Sequence, residues 1–83
     1  MAKIFIAKQL AGKKIITNDG DDLGKLVDLE ISEATGKIES IVVEPNLDNE
    51  MARRLKKEDG MLVIAYTTVL AAGDHIIIDK KGI

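Results

Sequence analysis

Seven glycines, at positions 12, 20, 24, 36, 60, 73 and 82, cut the chain into short segments that are mostly β-branched. Short strands recurring every ~8–12 residues between turn signals are the pattern of a small sandwich or barrel, not of βαβ units. The spacing predicts strands at about 3–6, 13–17, 24–32, 37–44, 61–66 and 75–79. Gly-Lys recurs at 12–13, 24–25 and 36–37, but the flanking residues do not match, so the interval is the rhythm of strand and turn. An all-β fold with at most one short helix, occupying 1–83 as one domain, is the expectation.

The central hairpin is the best defined element. Val27, Leu29 and Ile31 alternate with Asp28, Glu30 and Ser32, the period of a half-buried strand. "EATGK" then supplies a type I turn in which Gly36 takes the left-handed position of a bulge. That register sets Ile31 opposite Glu39, Leu29 opposite Ile41 and Val27 opposite Val43 on the core side. A plain four-residue loop would shift the pairing by one residue and set Glu30 against Glu39, a like-charge pair, so the bulged turn is preferred. The other face carries Asp28, Glu30 and Ser40, but also Leu26, Ile38 and Val42.

This two-sidedness recurs in "MLVIAY" (61–66) and "HIIID" (75–79). Near-continuous apolar runs belong to strands covered on both faces. The only segment able to supply a covering helix is "LDNEMARRLKK" (47–57), with Asp48 as N-cap and a Met51–Leu55 stripe; it reads equally as a charged loop after Pro45. A chain of 83 residues buries only about 60% of the surface that its unfolded form exposes. With no cysteine to add a disulfide or a thiolate metal site, association with another polypeptide is the available supplement. Leu26, Ile38, Val42, Met61 and Ile77 are the expected partner or dimer interface. A barrel curled tightly enough to hide these groups itself is the alternative.

The sequence offers little chemistry. The lone histidine, His75, stands at the mouth of a strand after Asp74, and neither the serines nor the threonines have a visible base. "NDGDD" (18–22) holds oxygen ligands in Asp19, Asp21 and Asp22 but lacks the downstream glutamate of a calcium loop, and it reads as a turn. No catalytic, cofactor or metal residues are therefore assigned. The basic run Arg53, Arg54, Lys56 and Lys57 is bracketed by Glu50, Glu58 and Asp59 and reads as a solvated face, with RNA or partner contact as its functional alternative. A net charge of -2 and only two aromatic residues, Phe5 and Tyr66, argue against nucleic-acid binding in general. "MAKIFIAKQLAGKK" is too short in apolar run for a signal peptide, and no stretch approaches the ~20 apolar residues of a membrane span. A cytoplasmic protein without membrane insertion is expected, and the absence of cysteine with many Lys and Glu leans towards a thermophile.

"LAGKKIITNDGDDLGKLVDLEISEATGKIESIVVEP" resembles the PRC-barrel domain, named after the photosynthetic reaction centre H subunit. The likeness is carried by Leu10, Gly12-Lys13, Gly20, Leu23-Gly24-Lys25, Asp28, Thr35-Gly36 and the valine-rich strand, and "VLAAGDHIII" closes it. It covers about residues 7–79. The resemblance implies a small, highly bent β-barrel used as a non-enzymatic adaptor. The ribosome maturation factor attaches such a barrel to a second domain, and the reaction centre subunit attaches it to a transmembrane helix. Free-standing versions of about this length resemble archaeal proteins, among them the cell division protein B group. For those the resemblance implies a homodimer, or a mixed dimer with a related barrel, that binds the membrane anchor of the tubulin-like division ring at the division site. An RNA- or ribosome-associated maturation factor is the alternative.

Overall fold

The β-branched segments between the glycines become strands wherever a neighbour pairs with them. The computed structural model describes residues 11–83, so the strand expected at 3–6 lies outside the described residues. Among the described residues six strands form: β1 (Lys14–Thr17), β2 (Asp22–Ile31), β3 (Ile38–Pro45), β4 (Leu62–Ala65), β5 (Val69–Ala72) and β6 (Ile76–Ile78). A short helix, α1 (Glu50–Arg54), separates β3 from β4, and 3₁₀ turns occupy Tyr66–Thr68 and Lys80–Gly82. The fold is all-β.

The strands lie in one sheet in the order β4-β3-β2-β1-β6-β5. All neighbours are antiparallel except β1 and β6. The two edge strands, β4 and β5, are consecutive in the chain and joined only by Tyr66–Thr68. Six flat strands would hold these edges ~24 Å apart, whereas the four steps from Ala65 to Val69 span at most ~14 Å. The sheet must therefore roll until its edges approach. Thr68 pins the crossing: its hydroxyl donates to the Ala65 carbonyl (2.7 Å) and its carbonyl accepts from Asp79 N (2.8 Å). The roll stays open, since among the described residues no ladder joins β4 to β5.

Bulges produce the bend. The pairings skip Leu23 and Val27 in β2, Glu39 in β3 and Leu70 in β5. Each extra residue bends and twists its strand and re-aims the side chains beyond it. In the central hairpin the expected register holds for Asp28–Val42, Leu29–Ile41 and Glu30–Ser40, and Gly36 takes its positive φ (+73°) in the turn. Beyond the bulges it slips by one, giving Leu26–Val43 and Ile31–Ile38.

Three inside-outside expectations are corrected by these slips. Val27, expected in the core, is 42% exposed, whereas Leu26, expected on the outer face, is 1% exposed. Ile38, also expected outward, packs half-buried against the core. The remaining core is wholly aliphatic among the described residues: Ile15, Leu23, Leu29, Ile41, Val43, Ala52, Leu62, Ile64, Ile76 and Ile78 join Leu26.

The 47–57 segment is part helix. Asn49, one residue after the expected Asp48, caps α1 by accepting from Ala52 N at 2.9 Å. Ala52 is buried, and Met51 and Leu55 rest on the core as the i, i+4 stripe requires. β5 was not expected, because "VLAAG" has no period-2 alternation and is recruited by pairing with β6.

Candidate interaction surface

The outer face of the rolled sheet is read from the registers. Val63, Val42 and Asp28 stand side by side across β4, β3 and β2. Val27 adjoins Asp28 at the bulge, and Met61 precedes β4 with the same outward parity as Val63. Val42, Met61 and Val63 are half-buried. On the opposite wing Ile16 pairs with Ile77, and Ile77 with Ala71. The roll thus divides the proposed interface set. Val42 and Met61 share one wing, Ile77 lies on the other with Ile16, Leu26 belongs to the interior and Ile38 packs half-buried at the edge of the core. Val63 and Ile16 complete the two wings; the signal for Val63 is alternation within "MLVIAY", a segment that reads from sequence as an undivided apolar run.

The acidic loop is a self-contained turn. Thr17, 2% exposed, donates its hydroxyl to Asp19 Oδ1 (2.5 Å) and accepts from Asp21 N (2.9 Å), while Gly20 N donates to the Thr17 carbonyl (2.9 Å). Lys80 Nζ bridges Asp19 Oδ2 at 2.9 Å and Asp21 Oδ2 at 3.2 Å. The Thr17 hydroxyl, then the Lys80 ammonium, hold the Asp19 carboxyl below its usual range. Asp19 and Asp21 in turn raise the Lys80 pKa. Carboxylates already neutralised by an internal ammonium are poor calcium ligands. Among the described residues, no group of three or more His, Asp or Glu side chains is placed to hold a metal ion. His75 is exposed just before β6.

The basic run serves the backbone around α1. Arg53 donates to the Leu47 carbonyl (3.0 Å), Lys57 donates to the Arg53 and Leu55 carbonyls (3.0 and 3.1 Å), and Arg54 pairs with Glu50 one turn back. The Lys57 contacts satisfy carbonyls at the C-terminal end of a short helix, and the Arg53 contact ties it to the loop before it. Lys56 remains as the outward-reaching cation of the run, beside the β4 groove.

Two surface grooves flank the sheet. One, about 530 Å³, runs between Lys14, Asp22, Lys25, Glu44 and Asn46; its charges compensate, with Lys14 3.6 Å from Asp22 and Lys25 directly across from Glu44. The other, about 340 Å³, follows the whole of β4 between Leu55, Lys56, Gly82 and Ile83. Among the described residues no helix is long and apolar enough to cross a membrane.

Comparison with known proteins agrees with this architecture. An uncharacterized protein of the archaeon Methanocaldococcus jannaschii is 32% identical over 77 residues, which cover 93% of this chain and 83% of that relative. The pattern of the PRC-barrel domain matches residues 3–82. With its bulged, rolled, aliphatic sheet, the chain belongs to the PRC-barrel domain family.

Proposed function

We propose that this chain is a non-enzymatic interaction module, an adaptor that dimerises through the outer face of its sheet and docks to protein partners. The observation that carries the reading is the Val27, Val42, Met61 and Val63 wing. Val42 and Val63 pair directly, Met61 shares their outward parity and Val27 adjoins across Asp28, all outside a core already filled by eleven others. Val27 is 42% exposed. Adjacent apolar side chains left facing water mark an association site more often than a neutral surface. A second copy, or a related barrel in a mixed dimer, supplies a matching face, and two-fold pairing is the commonest symmetry for such contacts.

The partner class belongs to the same reading. Resemblance to free-standing archaeal barrels of this length points to cell division, through the membrane anchor of the tubulin-like division ring. The similarity to an archaeal relative is in keeping with that lineage. A cytoplasmic module recruited to the division site by its partner is the corresponding location.

Light scattering on the purified chain at tens of micromolar tests the dimer. The mass of two chains is expected, falling to one chain in Val42→Asp with an unchanged circular dichroism spectrum. A strict monomer for the unmodified chain overturns the outer-face reading.

A further inference from the structure

An edge strand offers a row of backbone N–H and C=O groups to any passing chain, and proteins ordinarily blunt it with charge, proline or a bulge. Among the described residues the rolled sheet has two such edges, β4 and β5. β5 is interrupted by its bulge at Leu70. β4, "LVIA", has no charge and no proline, and its four pairs with β3 run without a break. Among the described residues nothing pairs with its outer side. All four of its residues line the 340 Å³ groove, flanked by Leu55 and Lys56 and by Gly82 and Ile83.

We infer that the β4 edge is a docking site for one extended peptide segment of a partner protein, which adds to the sheet as a further strand. The inference rests on the interaction-module reading and names how the partner is held.

Three features of the groove select this occupant. Main-chain pairing to a flat edge requires an extended segment and supplies affinity without sequence preference. Leu55 and Ile83, both packed on the core, offer apolar contact to every second side chain of the added strand, because alternate side chains share a face. Exposed Lys56 at the rim complements a carboxylate, so the favoured segment alternates apolar and acidic residues. A second copy of the chain fits poorly here. An antiparallel pairing of two β4 edges would set "LVIA" against itself, and that segment holds no carboxylate for Lys56. The edge is therefore distinct from the dimer wing, although Val63 borders both.

The test uses the full chain, ¹⁵N-labelled, titrated with an acetylated octapeptide of alternating valine and glutamate. Alternate β4 amides are expected to exchange fast with solvent in the free chain and to become at least tenfold slower with peptide. Two further peptides carry N-methyl groups either on every valine or on every glutamate. Because an added strand uses the amides of one edge, one of these should lose binding and the other keep it. Lys56→Glu should weaken binding by about twofold to fivefold, the scale of a surface ion pair. Outward β4 amides that are already slow in the free chain would mean an edge that is occupied, and would overturn the inference. So would equal binding of both methylated peptides, or an unchanged β4 at saturating peptide. A monomer in light scattering together with a responsive β4 removes the outer-face dimer and leaves the edge site standing.

Discussion

Replacing Gly24 by alanine asks how closely β3 presses on β2. Gly24 sits in the middle of three strands, opposite Ile15 on one side and Pro45 on the other, with φ at +142°. A methyl built there would lie 2.9 Å from the Glu44 carbonyl carbon and 3.1 Å from Asn46 N, and would overlap the Glu44 oxygen outright. The backbone conformation alone costs a side chain about 1–3 kcal/mol. Relief requires β3 to move, which weakens the Asn46 N to Leu23 carbonyl bond (2.9 Å) and the Asn46 Nδ2 to Asp22 carbonyl bond (3.2 Å). Each is worth about 1 kcal/mol. Restriction of the unfolded chain by alanine returns about 0.4–1 kcal/mol. The net loss is about 3–4 kcal/mol, against about 4–12 kcal/mol for a domain of this size. The melting temperature should fall by about 12–30 °C. Gly36→Ala is the control, since Gly36 also has positive φ (+73°) but nothing within 4 Å of the added methyl. It should cost only about 1 kcal/mol. Urea unfolding followed by circular dichroism reads both variants. Equal destabilisation of the two would refute the close approach as the reason for glycine at 24.

Leu26→Ala should cost about 2–5 kcal/mol and Val27→Ala within about 0.5 kcal/mol, because the bulge buries the first and exposes the second; the reverse order in urea titrations would mean the strand is unbulged. Asp19, with its pKa lowered, contributes stability that is present above its unfolded pKa and lost as pH falls through the carboxylate range. Lys80, with its pKa raised, contributes stability that is present below its unfolded pKa and lost as pH rises through the alkaline range. Carboxyl ¹³C titration should show Thr17→Val raising the Asp19 pKa more than Lys80→Ala does, because the hydroxyl bond is the larger cause; a larger effect from Lys80 would reverse that ranking.

Much of the hairpin was legible because turn chemistry and alternation are local. Gly36 in "EATGK" announces a left-handed position, and Leu29 facing Ile41 follows by counting outward from it. Counting fails at Val27 and Glu39, because a bulge inserts one residue without any residue type that signals it, and every side chain beyond it changes face. Leu23, Leu26 and Leu29 make the consequence plain. At a spacing of three they would alternate faces in a straight strand, yet bulges at Leu23 and Val27 bring all three inside. The interface set inherited the same error, losing Leu26 to the interior and drawing half-buried Ile38 against the core, while Val42 and Met61 are half-buried on the outer face. β5 was missed because alanines carry no alternation, and its strand character comes from the neighbour it pairs with.

Local physical chemistry, written residue by residue, was enough for an all-β chain of short strands, a glycine-bearing hairpin turn and a turn at the acidic loop. It also left more aliphatic side chains than one face of each strand can hide. Where those side chains go depended on the roll of the sheet. The short Tyr66–Thr68 link forces opposite edges together, and the bulges set the curvature that lets this happen. That roll separates the Val42 wing from the Ile77 wing and, among the described residues, leaves the outer side of β4 unpaired in its groove. Curvature is a sum of small twists over strands distant in sequence, and no window along the chain contains it.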